Sequence, residues 1–182
     1  IWLVGREPGQ ILSSMSNITS SGKAFATGTF QGQAQFWTME PGKAPVRSKQ
    51  IKVSSLPVLA VALSDDEKFA AAQSFQNPCC LIDCETRSVL RQLDFEDTSK
   101  FQRSLAFLPD NKTLVYPHTK GSLLVEDVAT GTRHSQLVGH TERSIDSFAI
   151  TPDGTKAMAS GGNGNKQILL WEIPKPPTPL AP

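Results

Sequence analysis

A period of 44–45 residues runs the length of this chain, and it limits the fold more than any single motif does. Four polar turns carry it: Ser20-Ser21-Gly22-Lys23, Ser64-Asp65-Asp66-Glu67-Lys68, Pro109-Asp110-Asn111-Lys112 and Pro152-Asp153-Gly154-Thr155-Lys156. Each lies between two apolar stretches and ends in lysine, and the lysines stand 45, 44 and 44 residues apart. The stretch after each turn repeats independently, as Gln35-Phe36-Trp37, Cys80-Leu81-Ile82-Asp83, Leu124-Val125-Glu126-Asp127 and Leu169-Leu170-Trp171-Glu172. Its equivalent positions 37, 82, 126 and 171 are separated by 45, 44 and 45. A unit this short cannot bury its apolar faces alone, so the units must stack on one another.

Within the period the pattern is that of strands. The last repeat predicts strands at Ser135–Val138, Ile145–Ile150, Thr155–Ser160 and Gln167–Ile173. Turn formers separate them, Thr-Pro-Asp-Gly at 151–154 and Gly-Gly-Asn-Gly-Asn at 161–165. No stretch keeps a 3.6-residue apolar period, so no substantial helix is expected. Four strands per roughly 40–45 residues is the period of a β-propeller blade. The fold expected is all-β: four consecutive four-stranded antiparallel blades at about 1–42, 43–87, 88–131 and 132–174. Trp2-Leu3-Val4-Gly5-Arg6 matches Gln136-Leu137-Val138-Gly139-His140, which makes Ile1–Val4 the first strand of the first repeat. Residues 175–182 form a proline-rich tail that cannot continue a hydrogen-bonded ladder.

The last repeat resembles a WD repeat. It has Gly139-His140 near its start, then Thr151-Pro152-Asp153-Gly154, Ala159-Ser160-Gly161, and Leu169-Leu170-Trp171-Glu172 where that family ends in Trp-Asp. The third repeat keeps Val125-Glu126-Asp127-Val128-Ala129-Thr130-Gly131, the second keeps Asp83, and the first keeps Gly28 and Trp37. The resemblance implies a propeller that binds partner proteins, with Trp37, His140 and Trp171 in structural roles. The family braces its blades with a His, Ser/Thr, Asp and Trp hydrogen-bond network. Here only the fourth repeat comes close, through His140 and Trp171. The acid expected six residues before the Trp is Asn165, and its counterparts are Gln31, Gln76 and Lys120.

Composition narrows the function classes. Lys plus Arg number 18 and Asp plus Glu 17, giving a net charge of +1 and no basic excess for nucleic acid or for an anionic membrane. No apolar run approaches the ~20 residues of a membrane helix, and no signal peptide is visible. Three cysteines, Cys79, Cys80 and Cys84, form neither a disulfide framework nor a standard zinc spacing. They read as reduced thiols in a strand, with Cys80 and Cys84 on one face, and favour a cytoplasmic setting. His118, His134 and His140 are scattered; His118 reads as a solvated turn residue. The segment 160–166, Ser-Gly-Gly-Asn-Gly-Asn-Lys, is a hairpin turn and not a phosphate loop, since no helix follows it. Asp65-Asp66 sits in a turn without an opposing carboxylate, and Asn17-Ile18-Thr19 falls in an expected buried strand. No catalytic residue, cofactor or metal site is expected.

A non-catalytic scaffold presenting loop surfaces to partner proteins is therefore the leading expectation. Arg6, Phe101, Arg103 and Arg143 are the candidate partner contacts, being charged or aromatic residues in connecting loops. The alternatives are a propeller segment of a larger multidomain regulator, such as a kinase-associated one, and a propeller hydrolase. Four whole blades would leave two uncovered end faces. Two copies closing on each other into an eight-bladed ring would bury both.

Overall fold

The structure is a computed structural model, and it describes residues 11–15, 17–93, 104–118, 121–139, 145–161 and 167–174. It is all-β, with four antiparallel sheets arranged as the blades of a propeller. The first sheet comprises β1 (Leu12–Met15), β2 (Ala24–Thr29), β3 (Gln33–Thr38) and β4 (Val46–Lys52), hydrogen-bonded in that order. The second comprises β5 (Val58–Leu63), β6 (Phe69–Ser74), β7 (Cys80–Asp83) and β8 (Ser88–Gln92). The third comprises β9 (Ala106–Phe107), β10 (Thr113–His118), β11 (Ser122–Asp127) and β12 (Arg133–Leu137). The fourth has three strands among the described residues: β13 (Ile145–Ile150), β14 (Lys156–Gly161) and β15 (Ile168–Glu172).

The sheets are offset by one strand from the sequence repeats. The strand expected to open each repeat is the outer strand of the preceding sheet: Val46–Lys52 pairs with β3, and Arg133–Leu137 pairs with β11. Boundaries at 42, 87 and 131 therefore cut through sheets, and the chain crosses between sheets near 53–57 instead. The offset arises because a strand's sequence does not say which neighbour it pairs with; Ile1–Val4 lies outside the described residues.

The turns explain the period. Each second strand is entered through the same five-residue loop. In it the amide of Thr19, Ser64, Leu108 or Thr151 donates to the carbonyl of Ala24, Phe69, Thr113 or Lys156. Two residues into each loop a side-chain oxygen accepts amides of the turn: Ser21, Asp66, Asp110 and Asp153. The next residue has positive φ in all four: Gly22, Glu67, Asn111 and Gly154. A side-chain acceptor followed by a left-handed residue is local turn chemistry that needs no tertiary support. By this alignment Lys156 corresponds to Phe69 and not to Lys68, so the lysine landmark is one residue out in the last repeat. The second landmark holds throughout. Trp37, Ile82, Glu126 and Trp171 each pair with the second residue of the neighbouring strand, Phe25, Ala70, Leu114 and Ala157.

Three apolar layers lie between the four sheets. Ala24, Ala26, Ala34 and Phe36 of the first sheet meet Val58, Val61, Ala70, Ala72 and Ile82 of the second. Ala60, Ala62, Ala71 and Leu81 on its other face meet Leu114, Tyr116 and Leu124. Val115, Leu123 and Val125 then meet Ala157, Ala159, Ile145 and Trp171. Small residues in one sheet face larger ones in the next, which lets the layers interdigitate. Hydrogen bonds join residues one repeat apart across these layers. Ser13 Oγ donates to the Val58 carbonyl at 2.5 Å, the Ser20 amide to Asp65 at 2.7 Å, and the Asp66 amide to Asn111 at 3.2 Å. Between the last two sheets the Phe148 amide donates to Ser104 Oγ at 3.4 Å.

Two glycines with positive φ separate turn geometry from packing. Gly22 has φ +68° with open space around it, whereas Gly32 has φ +76° and a Cβ there would run into the Ser54 carbonyl oxygen. Gly22→Ala should cost about 1–2 kcal/mol, the ordinary cost of a left-handed L-residue. Gly32→Ala should cost clearly more, because the 53–57 crossover must also move. Urea denaturation of the two variants reports the difference, and equal midpoints would contradict it.

Candidate functional site

The innermost strands of the sheets converge on one cavity of about 570 Å³. All four sheets contribute: Asn17, Ile18 and Ser20 follow β1, Val61, Leu63 and Asp65 end β5, 104–109 surround β9, and 148–152 end β13. The cavity therefore lies on the propeller axis, at the end where the four capped turns are. Its walls mix apolar side chains with polar turn residues, and Ile18 on them is 53% exposed. The polar groups at the mouth are already engaged in holding the sheets. Asp65 accepts the Ser20 amide, and Ser104 accepts the Phe148 amide. Asp153, one turn away, accepts the Thr151 and Thr155 hydroxyls at 2.6 and 2.8 Å and the Thr155 amide at 3.0 Å. These donors, the Thr151 hydroxyl first, hold its carboxyl down at about 2. Such a site suits an apolar side chain inserted from outside, ringed by turns that stay rigid.

A second polar feature lies between the second and third sheets. Glu126 is buried at the position that carries Trp in the first and fourth sheets. Tyr116 Oη donates to its Oε2 at 2.5 Å, and the Arg91 guanidinium, from the outer strand of the second sheet, lies 2.6 Å from its Oε1. Arg133 Nε stands 3.9 Å away. Burial, and then the bond to Glu126, push the Tyr116 hydroxyl well above its usual range. The first sheet solves the same position differently, with the Trp37 indole N–H donating to Thr27 Oγ1 at 2.9 Å. In both sheets the partners are ten residues apart on adjacent strands. Trp171 instead donates to the Val138 carbonyl at 3.0 Å and covers Gly139, where a Cβ would meet Leu169 at 2.7 Å. The Trp-to-hydroxyl bond expected nearest in the fourth repeat is therefore in the first, because Ala159 occupies the place that Thr27 holds.

Arg6, Phe101, Arg103 and Arg143 lie outside the described residues, as does His140. Trp37 is buried and stacks on Phe25 at 6.0 Å between ring centroids; Trp171 is half-buried against the third sheet. Cys79, Cys80 and Cys84 are buried free thiols. Cys80 and Cys84 face the first sheet together, and Cys79 faces the third. Desolvation pushes Cys80 up to about 11 and Cys84 up to about 12, so neither is a ready thiolate. His118 ends β10 and is buried, not solvated, because it still lies in the ladder, paired with Ser122. Asn17 and Ile18 lie exposed in the loop after β1 and not in a buried strand. Among the described residues no three His, Cys, Asp or Glu side chains are grouped as a metal ion would need.

Sequence reasoning looked for contacts in the loops and missed the axial cavity. The signal was present in the apolar stretches ending at Leu63, Leu108 and Ile150, just before each capped turn. Only the ring geometry brings those ends together. No family model matches the chain, and no curated protein matches it significantly.

Removing only the Tyr116 hydroxyl, by Tyr116→Phe, should cost about 1–3 kcal/mol in urea denaturation, the penalty of a buried charged acceptor losing a donor. Combined with Glu126→Gln the effects should be non-additive, and simple additivity would remove the coupling inferred here. Asp153 has its folded-state pKa depressed to about 2 from an ordinary 3.8, so its contribution is present above about pH 4. The stability difference between the wild type and Asp153→Asn should hold constant from pH 7 to 5. It should then shrink as the pH falls and vanish only below about pH 2. A difference that grew on acidification would refute the assignment.

Proposed function

We propose that this protein is a non-catalytic interaction module, a propeller of WD-repeat kind that binds partner proteins at its axial mouth. The axial cavity carries the proposal: all four blades contribute to it, apolar side chains line it beside polar turn residues, and exposed Ile18 is among them. The capped turns around it are hydrogen-bonded within and between repeats, so the surface is pre-organised and little ordering entropy is lost on binding. An extended segment carrying one bulky apolar residue fits this shape, with the side chain in the cavity and the backbone across the turns.

Selection of displayed peptides against the immobilised protein tests this reading. Selected peptides should share an apolar or aromatic anchor. Ile18→Asp should weaken their binding by roughly tenfold or more. Val46→Asp, at an equally exposed apolar residue on the outer strand of the first sheet, should leave binding unchanged. Selection of no peptide, or equal binding by the Ile18→Asp variant, would overturn it.

A further inference from the structure

The four capped turns each place one equivalent residue on the wall of the axial cavity: Ser20, Asp65, Pro109 and Pro152. Each follows the residue that opens its loop, Thr19, Ser64, Leu108 or Thr151. Three of the four are neutral. Asp65 alone carries a charge, and it is the sole ionisable side chain among the described residues of the wall. The large apolar side chains beside it on that wall include Ile18, Leu63, Phe107 and Phe148.

The Asp65 carboxylate is fixed in place. Its Oδ1 accepts the Ser20 amide at 2.7 Å across the junction of the first two sheets. That bond satisfies one oxygen and leaves the charge without a counter-ion among the described residues. Lys68, in the same loop, stands 4.0 Å from Asp66 instead. The Asp65 side chain is half-buried.

We propose that the partner segment bound by the cavity carries a lysine or arginine beside its apolar anchor, with the cation on Asp65. The inference rests on the reading of the cavity as a peptide site and adds the charge of the partner. An acidic flanking residue would be repelled by Asp65. A neutral one would leave a partly desolvated carboxylate unpaired beneath the bound chain, which costs affinity. A long basic side chain suits both parts of the wall. Its methylene stem lies along apolar surface while its charged head reaches outward to an acid. Because the Ser20 amide already holds the carboxylate, pairing it loses little further freedom on the protein side.

Two libraries of displayed peptides test the proposal. Both carry the same apolar positions; one has Lys and Arg at the flanking positions, and the other has Asp and Glu. Binders should come from the basic library alone, and the affinity of a selected basic peptide should fall as salt is raised. Asp65→Asn keeps an oxygen to accept the Ser20 amide and removes the charge. It should retain the wild-type melting curve, weaken the basic peptide by roughly threefold to fivefold and flatten its salt dependence. Glu85→Gln, which removes an exposed charge from the β7–β8 turn, should change neither affinity nor salt dependence. Binders from the acidic library, or from both equally, would overturn the basic partner and leave the apolar reading of the cavity standing. Undiminished binding by Asp65→Asn would do the same. Binders from neither library would overturn both.

Discussion

Each sheet of this protein has two apolar faces, and a strand surface of that kind is stable only against another of its kind. That requirement organises everything else. The second and third sheets are covered on both sides, which is why β6 reads Phe69-Ala-Ala-Ala-Gln-Ser74 with almost no exposed position. The fourth sheet is covered on one side, and its strands alternate accordingly, buried and exposed, along β14. Strand polarity in this chain reports what lies on each side of the sheet and not an intrinsic preference of the residues.

Stacking sheets also fixes where polarity can be tolerated. The position opposite the second residue of the neighbouring strand is Trp37, Ile82, Glu126 and Trp171 in turn, and in the second, third and fourth sheets it points at the preceding blade. Trp and Ile need only space, or space and one hydrogen bond. Glu126 is buried and so needs partners for both oxygens, which it draws from Tyr116 in its own sheet and Arg91 in the sheet before. A buried charge held across a blade junction costs desolvation, which the contacts from Tyr116 and Arg91 offset.

The fold was legible in the sequence because the capped turns are local. Asp66 and Asp153, each followed by a left-handed residue, form the same loop wherever they stand, and the period follows from them. The frame was less legible, since a strand sequence does not say which neighbour it pairs with. Val46–Lys52 reads equally well as the first strand of one sheet or the last of another. The buried state of His118 escaped for a related reason: Tyr116-Pro117-His118 looks like a turn, yet Pro117 pairs with Leu123 inside a ladder. The axial cavity was least legible of all, being assembled from residues as distant in sequence as Asn17 and Pro152.

The hydrogen bonds between residues one repeat apart bear on how such a chain can change length. Ser20 with Asp65, and Asp66 with Asn111, join corresponding loops of successive units. A junction of this kind is defined by the unit on each side and by nothing further away. Duplicating or deleting one whole unit would create a new junction of the same type, with its lateral ties already encoded. A duplication one strand short of a whole unit would leave the loops at the new junction without their ties. Growth of the chain is thereby quantised in units of about 44 residues, which is the spacing the sequence still carries.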